Sequence, residues 1–382
     1  MISCGEASGD LYAGALATEL RRRVPDVEIV GFGGPRLRRA GGELLGDFSR
    51  YSVTGLIESI SVIPRAAMML WRLIAAARRT RPDVIVPIDF PDFNFYLIAG
   101  LRRLGIPIVY YVSPQLWAWR AGRMKTMRAD VRRVLVIFPF EERIYQEAGV
   151  DVRFVGHPLV DLATAAEPRA SFLAARGLRP EAPTVALLPG SRHNEVAQTI
   201  PTFAEAMARI RAQVPGVQFT VACAPTITDA ECAPLLNAPG GPAPVLVRDR
   251  TDDVIASADV AITASGTATV QCALHERPMV VVYRLSPLTY RLGKRFVNVD
   301  MFAMPNLVAG TRIVPELIQD DFTPERVAAE VVSLLTDRRR HAQMTEALRR
   351  VKGQLGAPGA SGRAADAVLE VLTKHDAGAE SA

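Results

Sequence analysis

The chain has 382 residues, of which 49% are hydrophobic and 22% charged, a composition that supports two or three globular domains and excludes a disordered chain. A membrane-spanning helix is not expected, because charges and a proline interrupt the longest apolar region, residues 55–77. Four cysteines without a C-x-x-C pair, and a start without the charged-then-apolar pattern of a secretory leader, favour a reducing cytoplasm.

The net charge of +5 is unevenly distributed. Residues 1–160 carry 22 Lys and Arg against 16 Asp and Glu, whereas the remainder carries 23 against 24. The N-terminal half therefore suits an anionic membrane surface or a phosphorylated substrate. Nucleic acid is not expected, since no recognition motif accompanies the charge. No metal is expected, since the cysteines and histidines form no ligand cluster, and no other cofactor is expected.

Strand-like apolar runs alternate with helical patterns along the chain. The predicted strands are 27–32, 84–88, 106–112, 134–138, 152–155, 184–188, 218–222, 245–247, 260–263 and 279–283. The predicted helices are 13–23, 68–79, 95–104, 141–148, 201–214, 267–274 and 324–335. Many of the strands are continuous Val, Ile and Leu runs, as in parallel strands covered on both faces.

This alternation predicts an α/β chain with two doubly wound, Rossmann-like domains facing a cleft, the GT-B arrangement. The predicted boundaries are 1–160 for an N-terminal domain and 161–340 for a second domain. Residues 341–382 are expected to form a helical segment that returns to the first domain.

The first candidate site is the loop at residues 5–10, which enters a helix. Its two glycines, hydroxyl and two carboxylates suit a ligand, although Ser8 or Asp10 could equally cap the helix. Only Met1, Ile2 and Ser3 precede this loop, a run too short for a central strand.

Residues 56–79 combine an apolar face with arginines. The pattern fits a helix lying in a membrane interface and equally an amphipathic helix packed on the sheet. The side chains that would contact lipid are those of Val62, Ile63, Met68, Met69 and Trp71.

Asp89 directly follows a predicted strand and lies between apolar neighbours. A carboxylate at the carboxyl end of a parallel strand faces the ligand edge of the sheet, and Phe90 and Phe93 could desolvate it, as suits a general base. A turn or helix-start acid would give the same pattern. Asp92 is interpreted as a helix cap.

Aromatic and polar residues cluster at 110–120. Ser113, Gln115, Trp117 and Trp119 could line a sugar or acyl pocket, and core packing is the alternative for either tryptophan. His157, in a Gly-His-Pro sequence, is interpreted as a satisfied hinge histidine rather than a catalytic one.

The apolar run 184–188 ends at a Pro-Gly pair followed by Ser191 and Arg192. A glycine turn and the start of the next helix make an anion site, and arginine adds a planar fork suited to a diphosphate. Residues 265–271 follow another strand in the same way, so their amides and hydroxyls could hold a second phosphate, with Gln271 reaching a ribose. Ordinary strand–turn–helix junctions remain the alternative for both.

Together these motifs resemble one family, lipid-A-disaccharide synthase, an inverting GT-B glycosyltransferase family of the outer-membrane lipid A pathway. The matching motifs, in family order, are GEASGD (5–10), IDFPDFN (88–94), VSPQLWAW (112–119), FPFE (138–141), FVGHP (154–158), LPGSR (188–192) with Glu195, SGT (265–267) and PNLVAG (305–310).

The resemblance implies the reaction. UDP-2,3-diacylglucosamine donates its sugar to the 6-hydroxyl of 2,3-diacylglucosamine 1-phosphate (lipid X), with inversion, and UDP leaves. Without a metal, which the family does not use, fixed donors must stabilise the diphosphate. The family is peripheral to the cytoplasmic face of the inner membrane, because both substrates carry acyl chains. The oligomeric state, including a homo-oligomer, stays open.

The resemblance also assigns residues. The catalytic residues are Asp89 as base and Arg192 at the leaving group. The donor-binding residues are Gly190, Ser191, Arg192, Glu195, Ser265, Gly266, Thr267, Gln271 and Asn306. The acceptor-binding residues are Glu6, Ser8, Gly9, Asp10, Asn94, Ser113, Gln115 and Trp117. Many members have glutamate where Gln271 stands, and the N-terminal strand is shorter than in the family. The alternatives are a UDP-N-acetylglucosamine 2-epimerase and a non-enzymatic, membrane-associated nucleotide-sugar binder.

Overall fold

The computed structural model describes residues 1–48, 56–116, 121–284 and 301–379, with backbone alone for 56–62, 121 and 374–379. The chain divides into two compact units. Unit 1 comprises Met1–Val160 and Leu355–Ala382, and unit 2 comprises Asp161–Gln354.

The described residues form strands and helices in strict alternation over most of the chain. The strands are β1 Ile2–Ser3, β2 Val30–Gly33, β3 Glu43–Asp47, β4 Val86–Pro87, β5 Val109–Tyr111, β6 Arg133–Val136, β7 Val152–Phe154, β8 Thr184–Leu188, β9 Gln218–Cys223, β10 Val245–Arg248, β11 Val260–Ala264, β12 Met279–Tyr283 and β13 Glu316–Ile318. The helices are α1 Ala7–Arg23, α2 Pro35–Arg39, α3 Leu56–Thr80, α4 Pro91–Leu101, α5 Met124–Asp130, α6 Pro139–Glu147, α7 Leu159–Leu162, α8 Arg169–Ala174, α9 His193–Gln213, α10 Asp229–Leu236, α11 Thr251–Ser257, α12 Thr267–Leu274, α13 Met304–Ala309, α14 Pro324–Thr336, α15 Arg338–Gln354 and α16 Ala360–Ala379.

Unit 1 is built on parallel strands in the order β3-β2-β1-β4, continued by β5-β6-β7. Single parallel bridges, Ile85 to Ile108 and Ile88 to Tyr111, join the two parts. The order reverses between β1 and β4, which is where ligands bind in doubly wound sheets. The chain therefore brings the loops after β1 and β4 to one place.

The short first strand is central, contrary to the expectation that its length would exclude this. Ile2 pairs with Gly31 on one side and Val86 on the other. Amides beyond the strand extend the pairing, since Cys4 N–H donates to the Phe32 carbonyl at 2.9 Å and Ile88 N–H to the Ser3 carbonyl at 2.8 Å. Neighbours on both sides make up for what the strand lacks in length.

Unit 2 contains one sheet of six parallel strands in the order β10-β9-β8-β11-β12-β13 among its described residues. The order reverses between β8 and β11, so unit 2 repeats the arrangement of unit 1. Both faces are covered by helices, and the core includes Val185, Phe203, Val221 and Ile262, each 2% exposed or less. The doubly wound prediction is thereby confirmed in both units.

The C-terminal segment divides at a different residue from the one predicted. Helix α15 packs on α12 and α13 within unit 2, so residues 341–354 do not return to the first unit. Helix α16 packs on α1, with Arg23 Nε 2.5 Å from Asp366 Oδ1. Glu370 on α16 also pairs with Arg133 and Arg153 of the unit 1 sheet.

Helix α3 begins at Leu56 rather than at residue 68, and contains Pro64. Its side chains separate into two sets. Ile63, Met68 and Trp71 are 67%, 54% and 69% exposed, whereas Met69 is 1% exposed and belongs to the core. The expectation that Met69 contacts lipid is therefore wrong: its side chain lies against Gly46 of β3. Val62 lies among the residues whose side chains are not described.

In the described part of the chain, no helix is both long and apolar enough to cross a membrane.

Candidate active site

In unit 2, the loops after β8 and β11 lie side by side. Leu188, the last residue of β8, pairs with Thr263 near the end of β11. The turn 189–192 and the turn 265–267 therefore leave the same edge of the sheet at neighbouring strands. The structure brings together the two segments that the sequence proposed for phosphate binding.

The turn after β8 depends on a glycine. Gly190 has φ of +116°, and a Cβ there would lie 2.9 Å from Glu195 Oε2. The turn is held from outside: Thr199 Oγ1 donates to the Pro189 carbonyl at 2.8 Å and Thr226 Oγ1 to the Ser191 carbonyl at 2.9 Å. These bonds fix the backbone without using the amides that a ligand would need.

Arg192 precedes the first turn of α9 and lies mostly in solvent. Its side chain is 59% exposed, and Nη1 donates to Glu195 Oε1 at 2.9 Å. Glu195 is half-buried and so orients the guanidinium from one side. An exposed, oriented fork beside a glycine turn can bind a diphosphate.

The turn after β11 also uses a glycine. Gly266 has φ of +149°, and a Cβ at this position would meet no other atom within 4 Å. Thr269 Oγ1 donates to the Gly266 carbonyl at 2.7 Å, and Ser265 Oγ to the Phe302 carbonyl at 3.3 Å. The Gly266 backbone is exposed, so an anion can approach this turn.

Tyr283, at the end of β12, is a neighbour that sequence reasoning missed. Burial raises the pKa of its phenol, and the charge of Glu195 raises it further, while Arg192 lowers it. The phenol therefore lies within electrostatic reach of the turn. The sequence feature that could have identified Tyr283 is its position as the last residue of a strand, at the edge of the sheet where ligands bind.

Gln271 of α12 contacts a carboxylate rather than lying free. Its Nε2 donates to Asp252 Oδ1 of α11 at 3.1 Å, and His275 Nε2 lies 2.9 Å from the same oxygen. Asp252 was absent from the predicted site.

Asn306 has a structural role, contrary to its prediction as a donor-binding side chain. It is fully buried; Oδ1 accepts from the Ile313 and Val314 amides at 2.8 and 2.9 Å. Nδ2 donates to the Val314 carbonyl and to Glu316 Oε1. Its hydrogen bonds brace the loop before β13, leaving none of these groups for a ligand.

In unit 1, Asp89 lies where the loops after β1 and β4 meet. Its side chain is half-buried, and its main-chain carbonyl accepts two buried side-chain donors. Tyr110 Oη–H donates at 2.8 Å and Asn94 Nδ2–H at 2.7 Å. Asn94 is itself held by Ser3, whose hydroxyl donates to Asn94 Oδ1 at 2.8 Å.

Asn94 therefore holds Asp89 from inside the core. It is 0% exposed, so the expectation that its side chain contacts the acceptor is not supported. Tyr110 is equally buried, and burial, followed by the charge of Asp89, raises the pKa of its phenol. Its hydroxyl is consequently a stable hydrogen-bond donor.

The backbone at Asp89 is strained. Asp89 and Phe90 have φ of +46° and +50°, a region that non-glycine residues rarely occupy and that costs about 1–3 kcal/mol for each residue. The Phe90 ring fills the space beside Gly5, where a Cβ would collide with it. Phe90 also stacks on Phe93, with ring centroids 5.4 Å apart. Such strain accompanies functional sites when the surroundings enforce it.

Asp92 is in the first turn of α4 rather than at its cap, which is Phe90. Its carboxylate is 72% exposed and pairs with Arg123 at 2.7 Å.

The loop after β1 contributes fewer side chains than predicted. Glu6 and Ser8 are half-buried at the start of α1, and Gly9 is buried against Cys4. Asp10 is 2% exposed, and its carboxylate accepts from the amides of Gly34, Arg36 and Leu37 at 2.7, 2.8 and 3.1 Å. Asp10 thus caps α2, so direct acceptor binding by its side chain is not supported.

The loop after β5 places Ser113 inside the domain. Ser113 is 7% exposed and hydrogen-bonds to the Tyr145 hydroxyl and to the Pro114 carbonyl. Gln115 is half-buried. Trp117 and Trp119 lie outside the described residues.

His157 is buried and neutral. Its Nδ1 accepts from the Leu159 amide at 3.1 Å, and burial lowers its pKa to about 3. Its ring packs on Tyr12 and Phe138. These contacts fit the structural interpretation of this histidine.

An exposed apolar surface lies on α3 and α4, which pack together. It consists of Ile63, Met68 and Trp71 with Tyr96 of α4, which is 68% exposed and was missed from sequence. Arg65 and Arg72 are also exposed on α3.

Comparisons with known proteins agree on the family. The family model described as lipid-A-disaccharide synthetase matches residues 1–371. A lipid-A-disaccharide synthase from Geobacter sulfurreducens is 46% identical over 379 residues, covering 98% of this chain and 97% of that protein.

Solved structures show the fold. A calicheamicin glycosyltransferase superposes with a TM-score of 0.60 at 17% identity, covering 97% of this chain and 96% of that one. The UDP-GlcNAc 2-epimerase from Neisseria meningitidis, bound to UDP-GlcNAc, gives 0.64 at 10% identity, covering 95% and 96%. The GT-B fold is thus confirmed, and because the family model spans nearly the whole sequence, the chain belongs to the lipid-A-disaccharide synthase family.

Proposed function

We propose that the protein transfers 2,3-diacylglucosamine from UDP-2,3-diacylglucosamine to the 6-hydroxyl of 2,3-diacylglucosamine 1-phosphate. The products are the β-1,6-linked disaccharide 1-phosphate and UDP. The observation that carries this proposal is the family match over residues 1–371, with Asp89 and Arg192 each at the point where strand order reverses in its own sheet.

Asp89 is proposed as the general base. Inversion in a single displacement requires removal of the proton from the acceptor hydroxyl as it attacks the anomeric carbon. Two buried donors fix the Asp89 main chain, so its carboxylate is presented from a rigid support. The Phe90 and Phe93 rings exclude water from one side of the loop.

Arg192 is proposed to bind the departing diphosphate. Negative charge accumulates on that group as the sugar bond breaks, and fixed donors stabilise it most when they need no rearrangement. The amides of the Gly190 and Gly266 turns and the hydroxyl of Thr267 complete the set. The Neisseria epimerase of the same fold binds a UDP-sugar, which supports a nucleotide-sugar donor here.

We further propose that the surface formed by Ile63, Met68, Trp71 and Tyr96 contacts the cytoplasmic face of the inner membrane. Both substrates carry acyl chains, and exposed arginines beside an apolar patch favour anionic lipid. Each large apolar side chain that leaves water for the lipid contributes roughly 1.5–3 kcal/mol to the free energy of membrane binding.

The reaction is tested by incubating the purified protein with both diacylated substrates in detergent and measuring UDP and disaccharide together. Stoichiometric formation of both is expected. Interconversion of UDP-N-acetylglucosamine with its C2 epimer, without an acceptor, would support the epimerase instead. UDP binding without turnover would support the non-enzymatic binder.

Membrane contact is tested by sedimentation with anionic vesicles. Trp71→Ser with Met68→Ser should reduce bound protein at least about tenfold without lowering the melting temperature. Met69→Ala is the matched control on the same helix: it should lower stability by about 2–5 kcal/mol while the folded protein still binds vesicles. Undiminished binding of the Trp71 and Met68 variant would overturn the assignment.

A further inference from the structure

One carboxylate in unit 2 is held by two side chains of a neighbouring helix. Asp252 Oδ1, on α11, accepts from Gln271 Nε2 at 3.1 Å and lies 2.9 Å from His275 Nε2, both on or next to α12. Both contacts use Oδ1. Within the described ranges no protein group donates to Oδ2.

This carboxylate is also reachable. The Asp252 side chain is 20% exposed and the His275 side chain 12%. Helix α11 follows β10 and α12 follows β11, so both helices leave the sheet at the edge that carries the Gly266 turn. Gln271 lies one turn beyond that turn in α12.

From this arrangement we infer that Asp252 is the residue that accepts the ribose hydroxyls of the donor nucleotide, with Gln271 and His275 as positioning residues. The inference rests on the proposed UDP-sugar site in unit 2. A ribose presents two neighbouring O–H donors, and an ionised carboxylate is the side chain with only acceptors to offer.

Gln271 alone is less suited to that role. One N–H of its amide donates to Asp252, and its single carbonyl oxygen is the only atom that can accept from a ribose hydroxyl. A glutamate at 271 would instead place two carboxylates in contact, and one of them would have to take up a proton. The glutamine therefore fits a site whose negative charge lies on Asp252.

A purely structural alternative is that the contacts only tie α11 to α12. The two roles differ in what they predict for nucleotides lacking one hydroxyl. A structural tie affects stability and all ligands alike, whereas a ribose contact discriminates UDP from 2′-deoxy-UDP and 3′-deoxy-UDP.

The experiment measures the dissociation constants of the full-length protein for UDP and the two deoxy analogues by calorimetry. The wild type should bind UDP about 10- to 100-fold more tightly than at least one analogue, as expected for a hydrogen bond to a charged group. Asp252→Ala and Asp252→Asn should reduce that ratio to near one. In the transferase assay, KM for the donor should rise while kcat changes little, because the contact is the same before and during reaction.

Exchanging the carboxylate and the amide between positions 252 and 271 makes the test more specific. Gln271→Glu alone should weaken UDP binding, and Gln271→Glu combined with Asp252→Asn should recover it and restore discrimination. Asp229→Asn, a surface acid 78% exposed in the same unit, is the matched control and should change neither ratio nor KM.

A discrimination ratio that survives Asp252→Ala in folded protein overturns this inference and leaves the transferase proposal standing. A wild-type protein that turns over both lipid substrates but does not distinguish the analogues also overturns it. Failure to bind any uridine nucleotide would instead refute the proposed function.

Discussion

The two units present their candidate residues in different ways at equivalent points of similar sheets. In unit 1, non-glycine residues occupy the left-handed positions, with Asp89 at φ +46° and Val112 at +56°. In unit 2, glycines take the positive-φ positions in the turns after β8 and β11, with Gly190 at +116° and Gly266 at +149°, whereas Asp249 after β10 is a non-glycine residue at +56°. The Asp89 turn is strained and held from the core, whereas the Gly190 and Gly266 turns carry no such backbone strain.

The difference matches the chemistry proposed for each edge. A base needs a carboxylate on a fixed support, and buried Tyr110 and Asn94 fix the Asp89 main chain. A diphosphate needs several donors around a volume, and glycine turns present backbone amides at little steric cost. Backbone rigidity is therefore concentrated at the proposed base.

The largest expected effect comes from removing the proposed base. Asp89→Asn should lower turnover by about 10²–10⁴-fold, because an amide cannot accept the hydroxyl proton. Asparagine tolerates a positive φ, so the loop should keep its shape and UDP binding should be unchanged. The measurement is single-turnover disaccharide formation alongside UDP calorimetry.

Asp92→Asn is the control in the same loop. Its carboxylate is 72% exposed and pairs with Arg123. Because an exposed ion pair contributes only about 0–1 kcal/mol, the rate should stay within a fewfold of wild type. Equal losses in the two variants, or full activity in Asp89→Asn, would contradict the base assignment.

The glycine turns of unit 2 should respond differently to loss of Arg192. Arg192→Ala should lower the rate by about 10²–10³-fold and weaken UDP binding together, since the same donor serves ground state and leaving group. Arg209→Ala on the same helix α9, where Arg209 pairs with Glu325, should change neither. A rate loss with unchanged UDP affinity would place Arg192 away from the diphosphate.

Much of this contrast could be predicted from sequence, because the candidate residues directly follow the ends of predicted strands. The bounds of β8 and α12 agree with the prediction to the residue, and the glycine turns are local patterns. Strand β3 was missed because its Glu, Gly and Asp interrupt the apolar run, and β13 was missed because it has only three residues, the first of them Glu316. Pro201 suggested a helix start, but α9 begins at His193 and contains it.

The side-chain roles that were mistaken depend on distant partners. Asp10 caps a helix that begins 25 residues later, and Asn306 bonds to a loop that no local pattern connects to it. Asp252 lies 19 residues from Gln271, in a different helix. Sequence identifies the polar residue near a site but not whether the fold already uses it.

A smaller effect should follow from loosening the strained Asp89 turn without touching the carboxylate. Tyr110→Phe removes the hydroxyl that donates to the Asp89 carbonyl and keeps the buried ring. Stability should fall by about 0.5–1.5 kcal/mol, and kcat should fall roughly tenfold while KM for the donor is unchanged. Combined with Asp89→Asn, the rate losses should not add, as expected for a residue that acts through Asp89. Additive losses would mean that Tyr110 affects the rate by another route.

The last expected effect is on the acid stability of unit 1 rather than on the rate, and it comes from the buried His157. His157 in unit 1 is buried with its pKa lowered to about 3, so the folded state excludes a proton that the unfolded state binds below about pH 6.5. Stability from this group is therefore complete above pH 6.5 and is lost as the pH falls toward 3, by about 2 kcal/mol between pH 7 and 5.

All three tryptophans lie in the unit 1 sequence, so tryptophan fluorescence in urea reports the unfolding of that unit. His157→Asn can still accept from the Leu159 amide; it should be less stable at pH 7 but should lose about 2 kcal/mol less on acidification than the wild type. Equal acid losses in the two proteins would show that other groups of unit 1 control its acid stability.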